Sequence, residues 1–171
     1  MMKATLFSGV VAVIALLGGQ ASADSALTEA DQKFVTGASA HQLGDIKLGE
    51  LAVRRGVDPA VKALGRRVIE EDTQGKDEVQ KLARREGIAL PGQLTDADRE
   101  AVSRLSRIPR ASFDRTFLEV MAARERQAIN DFETEAGVGK NDAIRQWAAE
   151  KSTILRSQHD LAKESRAHLA E

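Results

Sequence analysis

Residues 58–82 carry the pattern that most restricts the fold. Asp58 followed by Pro59 is a strong helix start: an acidic N-cap, then proline where a backbone donor is not needed. Val61, Gly65 (beside Leu64), Val68, Asp72, Gly75, Val79 and Leu82 then recur at spacings of four and three, one face of a helix that stops before Gly87. The preceding segment has the same period, in Phe34, Ala38, His41, Asp45, Leu48 and Ala52. It begins at a Thr28–Asp31 capping pattern and runs to Arg55, stopping at Gly56. Two or three residues separate these helices, so they are predicted to be antiparallel neighbours.

A hairpin with one apolar face needs a second layer to cover it. The second half of the chain supplies another pair. Asp114, Leu118, Met121, Glu125, Ala128 and Phe132 mark a helix from near Ser112 to Ala136. After the GVGKN break, Ile144, Ala148, Lys151, Leu155, Gln158 and Ala162 mark one from Asn141 or Asp142. Between the pairs lies a connection of about 25 residues, long for a compact domain. It contains the Pro91-Gly92 turn and a short helix from Thr95 to Leu105, closed by Pro109. The 171 residues suit one domain, and 3 Pro with few β-branched clusters favour helices over sheets. The expected fold is all-α: a ferritin-like four-helix bundle of two antiparallel hairpins joined by a long crossover. An up-down-up-down bundle satisfies the same sequence pattern.

Ahead of the bundle, Lys3 precedes an apolar run from Ala4 to Leu17, and Ala21-Ser22-Ala23 forms a small-x-small triplet. This is the layout of a secretory signal peptide over 1–23, cleaved before Asp24, leaving a single domain over 24–171. The run is shorter than the roughly 20 residues of a membrane span, so no stable span is expected after cleavage. With no cysteine there is neither a disulfide nor a lipidation site. The expected location is periplasmic or secreted. Formal net charge is −1, without the basic excess of a nucleic-acid binder.

The stripes are interrupted by polar residues at similar heights. The helix midpoints fall near positions 42, 72, 124 and 155, and the breaks are His41/Asp45, Asp72, Glu125 and Gln158/His159. At about 1.5 Å of rise per residue, all lie within a turn or so of mid-height. A buried carboxylate must be protonated, paired or bound to a cation. Asp45, Asp72 and Glu125, with His41, His159 and Glu71 beside them, are therefore candidate metal ligands. Carboxylate and imidazole groups from facing helices hold iron or manganese in other bundles. A plainer possibility is that Arg124 or Lys151 neutralises the acids. No nucleophile–base pair, phosphate loop or Cys/His zinc spacing is present, so nothing here points to a hydrolase.

DxKFVxxAxxxxLxDIKLGELA in residues 31–52, DPAVKALGRRVIEED in 58–72, GIALP in 87–91 and FDRTFLEVM in 113–121 together resemble an exported bacterial family, domain of unknown function 4142. The resemblance implies a ferritin-like bundle and export, with no established activity. It also implies Glu at the position of Asp45, Asp-His pairs at Glu71-Asp72 and Arg124-Glu125, and a His near Gln158/His159. Two of the implied histidines are thus Asp72 and Glu125 here, and the Glu-x-x-His of ferritin-like iron sites is absent.

Three roles are compatible with this reading. The first is a bundle with a mid-height metal site, for metal binding or redox protection in the envelope. The second is a non-enzymatic interaction or stress-response protein that presents charged helix faces to an envelope partner. The third is a bundle holding a small apolar or lipid ligand.

Overall fold

In a computed structural model of the chain, residues 26–168 are described; the signal-peptide reading over 1–23 falls outside them. The described residues form five helices and no strand: α1 (Glu29–Arg55), α2 (Pro59–Glu86), α3 (Asp96–Arg107), α4 (Arg110–Val138) and α5 (Asp142–His168). The helix starts follow from local chemistry. Thr28 and Asp31 form a reciprocal capping box on α1, Asp58 caps α2 through Ala60 N–H, and Thr95 caps α3 through Asp98 N–H. Gly87, in the left-handed conformation at φ 70°, closes α2. The helix α4 begins two residues before Ser112, directly after Pro109, without a side-chain cap.

α1 pairs with α2 and α4 with α5, and the two hairpins meet along α1–α4 and α2–α5. Contacts at the two ends of the bundle set the direction of each helix. Asp114, near the start of α4, accepts from Val57 N–H (3.0 Å) and Asp58 N–H (2.7 Å) at the end of α1. Asp31, at the start of α1, accepts from Lys140 N–H (3.0 Å) beyond the end of α4. α1 and α4 are therefore antiparallel, and α4 runs parallel to α2. The connection from α2 to α4 must then travel the length of the bundle. That is the crossover arrangement, and the up-down-up-down alternative is ruled out. On its way, α3 packs against α1 and α4.

Two apolar clusters fill the interior. One contains Leu48, Val61, Leu64, Val68, Phe113, Phe117, Leu118 and Met121; the other contains Val35, Val79, Leu82, Phe132, Ile144, Trp147 and Leu155. Along α1 the change from one cluster to the other falls between Ala38 and Leu48, along α2 between Val68 and Val79, and along α4 between Ala122 and Ala128. Those intervals hold His41, Gln42 and Asp45, then Glu71, Asp72 and Gly75, then Arg124 and Glu125. A polar layer separates two apolar cores. At the Gly49–Gly65 crossing, α1 and α2 approach so closely that a Cβ on either glycine would lie 2.8 Å from the other's carbonyl oxygen.

Candidate metal centre

His41 and Asp45 lie one turn apart on α1, which puts both side chains on the face toward α4. Glu125 of α4 meets them there. One ligand atom from each of His41, Asp45 and Glu125 falls within 4.8 Å of the other two. Asp45 is fully buried and Glu125 is 1% exposed, while His41 is half-buried. His41 Nε2 lies 2.9 Å from Asp45 Oδ2, yet neither atom has a well-aligned hydrogen bond. Both carboxyl oxygens of Glu125 are buried without a partner.

The other oxygen of Asp45 takes Arg124 Nε at 2.5 Å, and Arg124 Nη1 reaches Asp98 Oδ1 at 2.7 Å. One guanidinium thus bridges two buried carboxylates from α1 and α3. Gly44 makes this possible, because a Cβ there would meet Asp98 Oδ1 at 2.6 Å and Arg124 Nη2 at 2.7 Å. Burial pushes the Asp45 carboxyl upward, but His41 and Arg124 outweigh it and hold the group below its usual range. Burial lowers the Arg124 pKa, and the two carboxylates more than reverse this.

At Glu125 the Arg124 charge pulls the same way but does not offset the opposing causes. Burial, then the charges of Asp45 and Asp72, push its carboxyl well above the usual range. Asp72 is raised likewise, by burial first and then by Asp45 and Glu71. Both acids are therefore harder to ionise than exposed carboxyls.

Of the six candidate ligands, the structure brings His41, Asp45 and Glu125 into one group. Asp72 is buried in the same layer on the α2 side and feels their charges, but is not a member of it. Glu71 is half-buried and already held by Arg67 Nε at 2.7 Å and Gln158 Nε2 at 2.5 Å. His159 is half-buried, with Nδ1 unpartnered, and also stays outside the group. Lys151 pairs with Glu78 at 2.5 Å and lowers the Asp72 pKa through its charge, while Arg124 forms the direct ion pairs with acids of the layer. Asp98 was hidden in the sequence by its second duty, because the Thr95–Asp98 capping pattern already accounted for it.

A cavity of about 380 Å³ between α1 and α4, lined by Phe34, Ala38, Ala128 and Phe132, extends to His41. One imidazole nitrogen with two carboxylates is a mixed N/O donor set suited to first-row divalent ions. The orphaned oxygens of Glu125 fit such an ion, since a cation would satisfy both burial and charge.

Fold and site together define an all-helical bundle protein with a buried carboxylate–histidine cluster at mid-height. The chain belongs to the family described as Domain of unknown function (DUF4142), whose model matches residues 17–164. Its fold is similar to the crystal structure of a DUF305 fragment from Deinococcus radiodurans. The TM-score is 0.73 at 14% identity, over 83% of this chain and 98% of that one. No curated protein matches. Among the described residues, no helix is long and apolar enough to cross a membrane.

Proposed function

We propose that this protein is exported and binds a divalent cation of the iron or manganese class through His41, Asp45 and Glu125, in a metal-holding or redox-protective role in the cell envelope. Glu125 carries the reading. Its two oxygens are buried and unpartnered, within reach of an imidazole nitrogen and a second carboxylate. Such a residue is costly in an apolar bundle unless something positive approaches it. The cavity between α1 and α4 reaches His41, the half-buried member of the cluster. Export rests on the N-terminal apolar run and the Ala21-Ser22-Ala23 triplet.

The test is metal analysis of mature protein purified from its native compartment, beside a Glu125→Ala variant from the same cells. Iron or manganese near one ion per chain, lost in the variant, supports the proposal. Equal and negligible iron, manganese and zinc in both would sink it. N-terminal sequencing of the same material should begin at Asp24; a chain beginning at Met1 contradicts export by cleavage.

One observation favours the metal-free alternative, an interaction protein whose polar layer is purely structural. Arg124 already compensates Asp45 and Asp98. It leaves the oxygens of Glu125 and Asp72 Oδ2 without partners, and for that reason the metal reading is preferred.

A further inference from the structure

We infer that Asp98, which enters the polar layer from the crossover helix α3, is a positioning residue for the cation site: it takes up the Arg124 charge and so leaves Asp45 free to serve a cation beside His41 and Glu125. This role rests on the cation reading above and assigns the charge control of that same site.

Asp98 is 5% exposed, and each of its oxygens faces a donor. Oδ2 accepts from Thr95 Oγ at 2.6 Å, and Oδ1 accepts from Arg124 Nη1 at 2.7 Å. The carboxylate is seated against α1 at Gly44, the residue before Asp45, where a Cβ would lie 2.6 Å from Oδ1. Arg124 in turn reaches across to α1. Its Nε meets Asp45 Oδ1 at 2.5 Å, and its Nη2 lies 3.4 Å from the His41 carbonyl oxygen. The second oxygen of Asp45 lies 2.9 Å from His41 Nε2. Asp45 therefore carries the guanidinium on one oxygen and faces the cluster with the other.

Charge decides what this geometry permits. Arg124 is a permanent cation, separated from the cluster by a single carboxylate group, and like charges that close in a buried layer repel strongly. Paired with Asp45 alone, it would complete a neutral ion pair and leave no net charge to attract a metal. Two carboxylates on one guanidinium leave a negative charge over. A purely structural network needs one acid for one base; the second acid serves a cation from outside. Asp98 supplies that charge without joining His41, Asp45 and Glu125 as a ligand.

Mn²⁺ titration by calorimetry of the chain over residues 24–171 tests this, with Asp98→Asn, Thr95→Val and the double variant Asp98→Asn/Arg124→Met, each checked for helicity by circular dichroism. Asp98→Asn keeps the shape and removes the charge, and should weaken Mn²⁺ binding by about tenfold or more, the scale on which outer-shell partners act. Thr95→Val removes the α3 cap and a hydrogen bond to Asp98 but no charge, and should bind as the wild type does. The double variant removes one charge of each sign and should recover most of the affinity lost in Asp98→Asn. A merely structural role gives no such rescue. Wild-type affinity in Asp98→Asn, equal losses in Asp98→Asn and Thr95→Val, or a double variant no better than Asp98→Asn overturns the role. If the double variant does not fold, the contrast between Asp98→Asn and Thr95→Val decides. Mn²⁺ binding lost in Glu125→Gln but kept in Asp98→Asn leaves the proposed function standing without this role; no binding by the wild type removes both.

Discussion

The polar layer has two sides, and they handle buried carboxylates in opposite ways. On the α3 side, Asp45 and Asp98 share the Arg124 guanidinium, and Asp45 is held ionised. Asp72 of α2 and Glu125 of α4 share no such bridge, and burial with neighbouring negative charge outweighs the more distant pull of Arg124 and raises both carboxyls well above their usual range. The depth is similar and all four are carboxylates. What differs is whether a cation of the chain forms a direct ion pair with the acids. Where it does, the layer is a structural ion network; where it does not, the layer has capacity for an ion from outside.

The largest effect should come from removing the built-in cation. Arg124→Met leaves two buried carboxylates unpaired and is expected to cost about 3–5 kcal/mol in urea unfolding, the scale for breaking a buried pair. A loss under about 1 kcal/mol would mean that Asp45 and Asp98 reach water without it. Gly44→Ala perturbs the same network sterically. Its Cβ collides with both Asp98 and Arg124, an overpacking cost of about 1–3 kcal/mol, offset in part by the ~1 kcal/mol that Ala gains over Gly in a helix. A net stabilisation in urea would show that the bridge shifts aside freely.

The unbridged side should show itself in pH dependence. Glu125 has a folded pKa above its ordinary 4.5, so the folded state binds more protons than the unfolded one from about pH 4.5 upward. In metal-free protein, stability from this group is fully present at lower pH and is lost as pH rises through the folded pKa. Glu125→Gln should therefore flatten the decline of the urea midpoint, with stability at neutral pH unchanged or raised. An equally steep decline would assign the proton uptake elsewhere.

The smallest expected effect is a control at the bundle end. Glu135, buried beside Asp31, is raised from 4.5 to about 7 by burial, then by a hydrogen bond and charge from Asp31. Its share of stability is present below pH 4.5 and is lost as pH rises through about 7. Glu135→Gln should remove that decline and leave cation binding untouched. Altered binding would extend the site beyond the layer.

Much of this was legible in the sequence because the signals were local. Thr28–Asp31, Asp58-Pro59 and Gly87 each mark a helix boundary through the backbone groups of a single turn. The interruptions of the stripes located the layer, since any four helices of similar length bring their midpoints together. The crossover direction was not legible; it depends on which ends Asp31 and Asp114 tie together, and both contacts span more than 50 residues. Nor was the division of the acids. Whether Asp72 or His41 joins Glu125 depends on the rotation of each helix about its axis, which residue spacing alone does not fix. Asp98 joined the layer only because α3 lies along α1 and α4 and Gly44 leaves room for it.

The most direct measurement is a Mn²⁺ titration of the protein over residues 24–171 at neutral pH, comparing Glu125→Gln with Glu135→Gln. Both replace a buried glutamate that has an unpartnered oxygen, but only Glu125 lies with His41 and Asp45. A cation held by that cluster predicts the loss of one bound Mn²⁺ per chain in Glu125→Gln and wild-type binding in Glu135→Gln. Equal binding in all three proteins, or none in any, would contradict it.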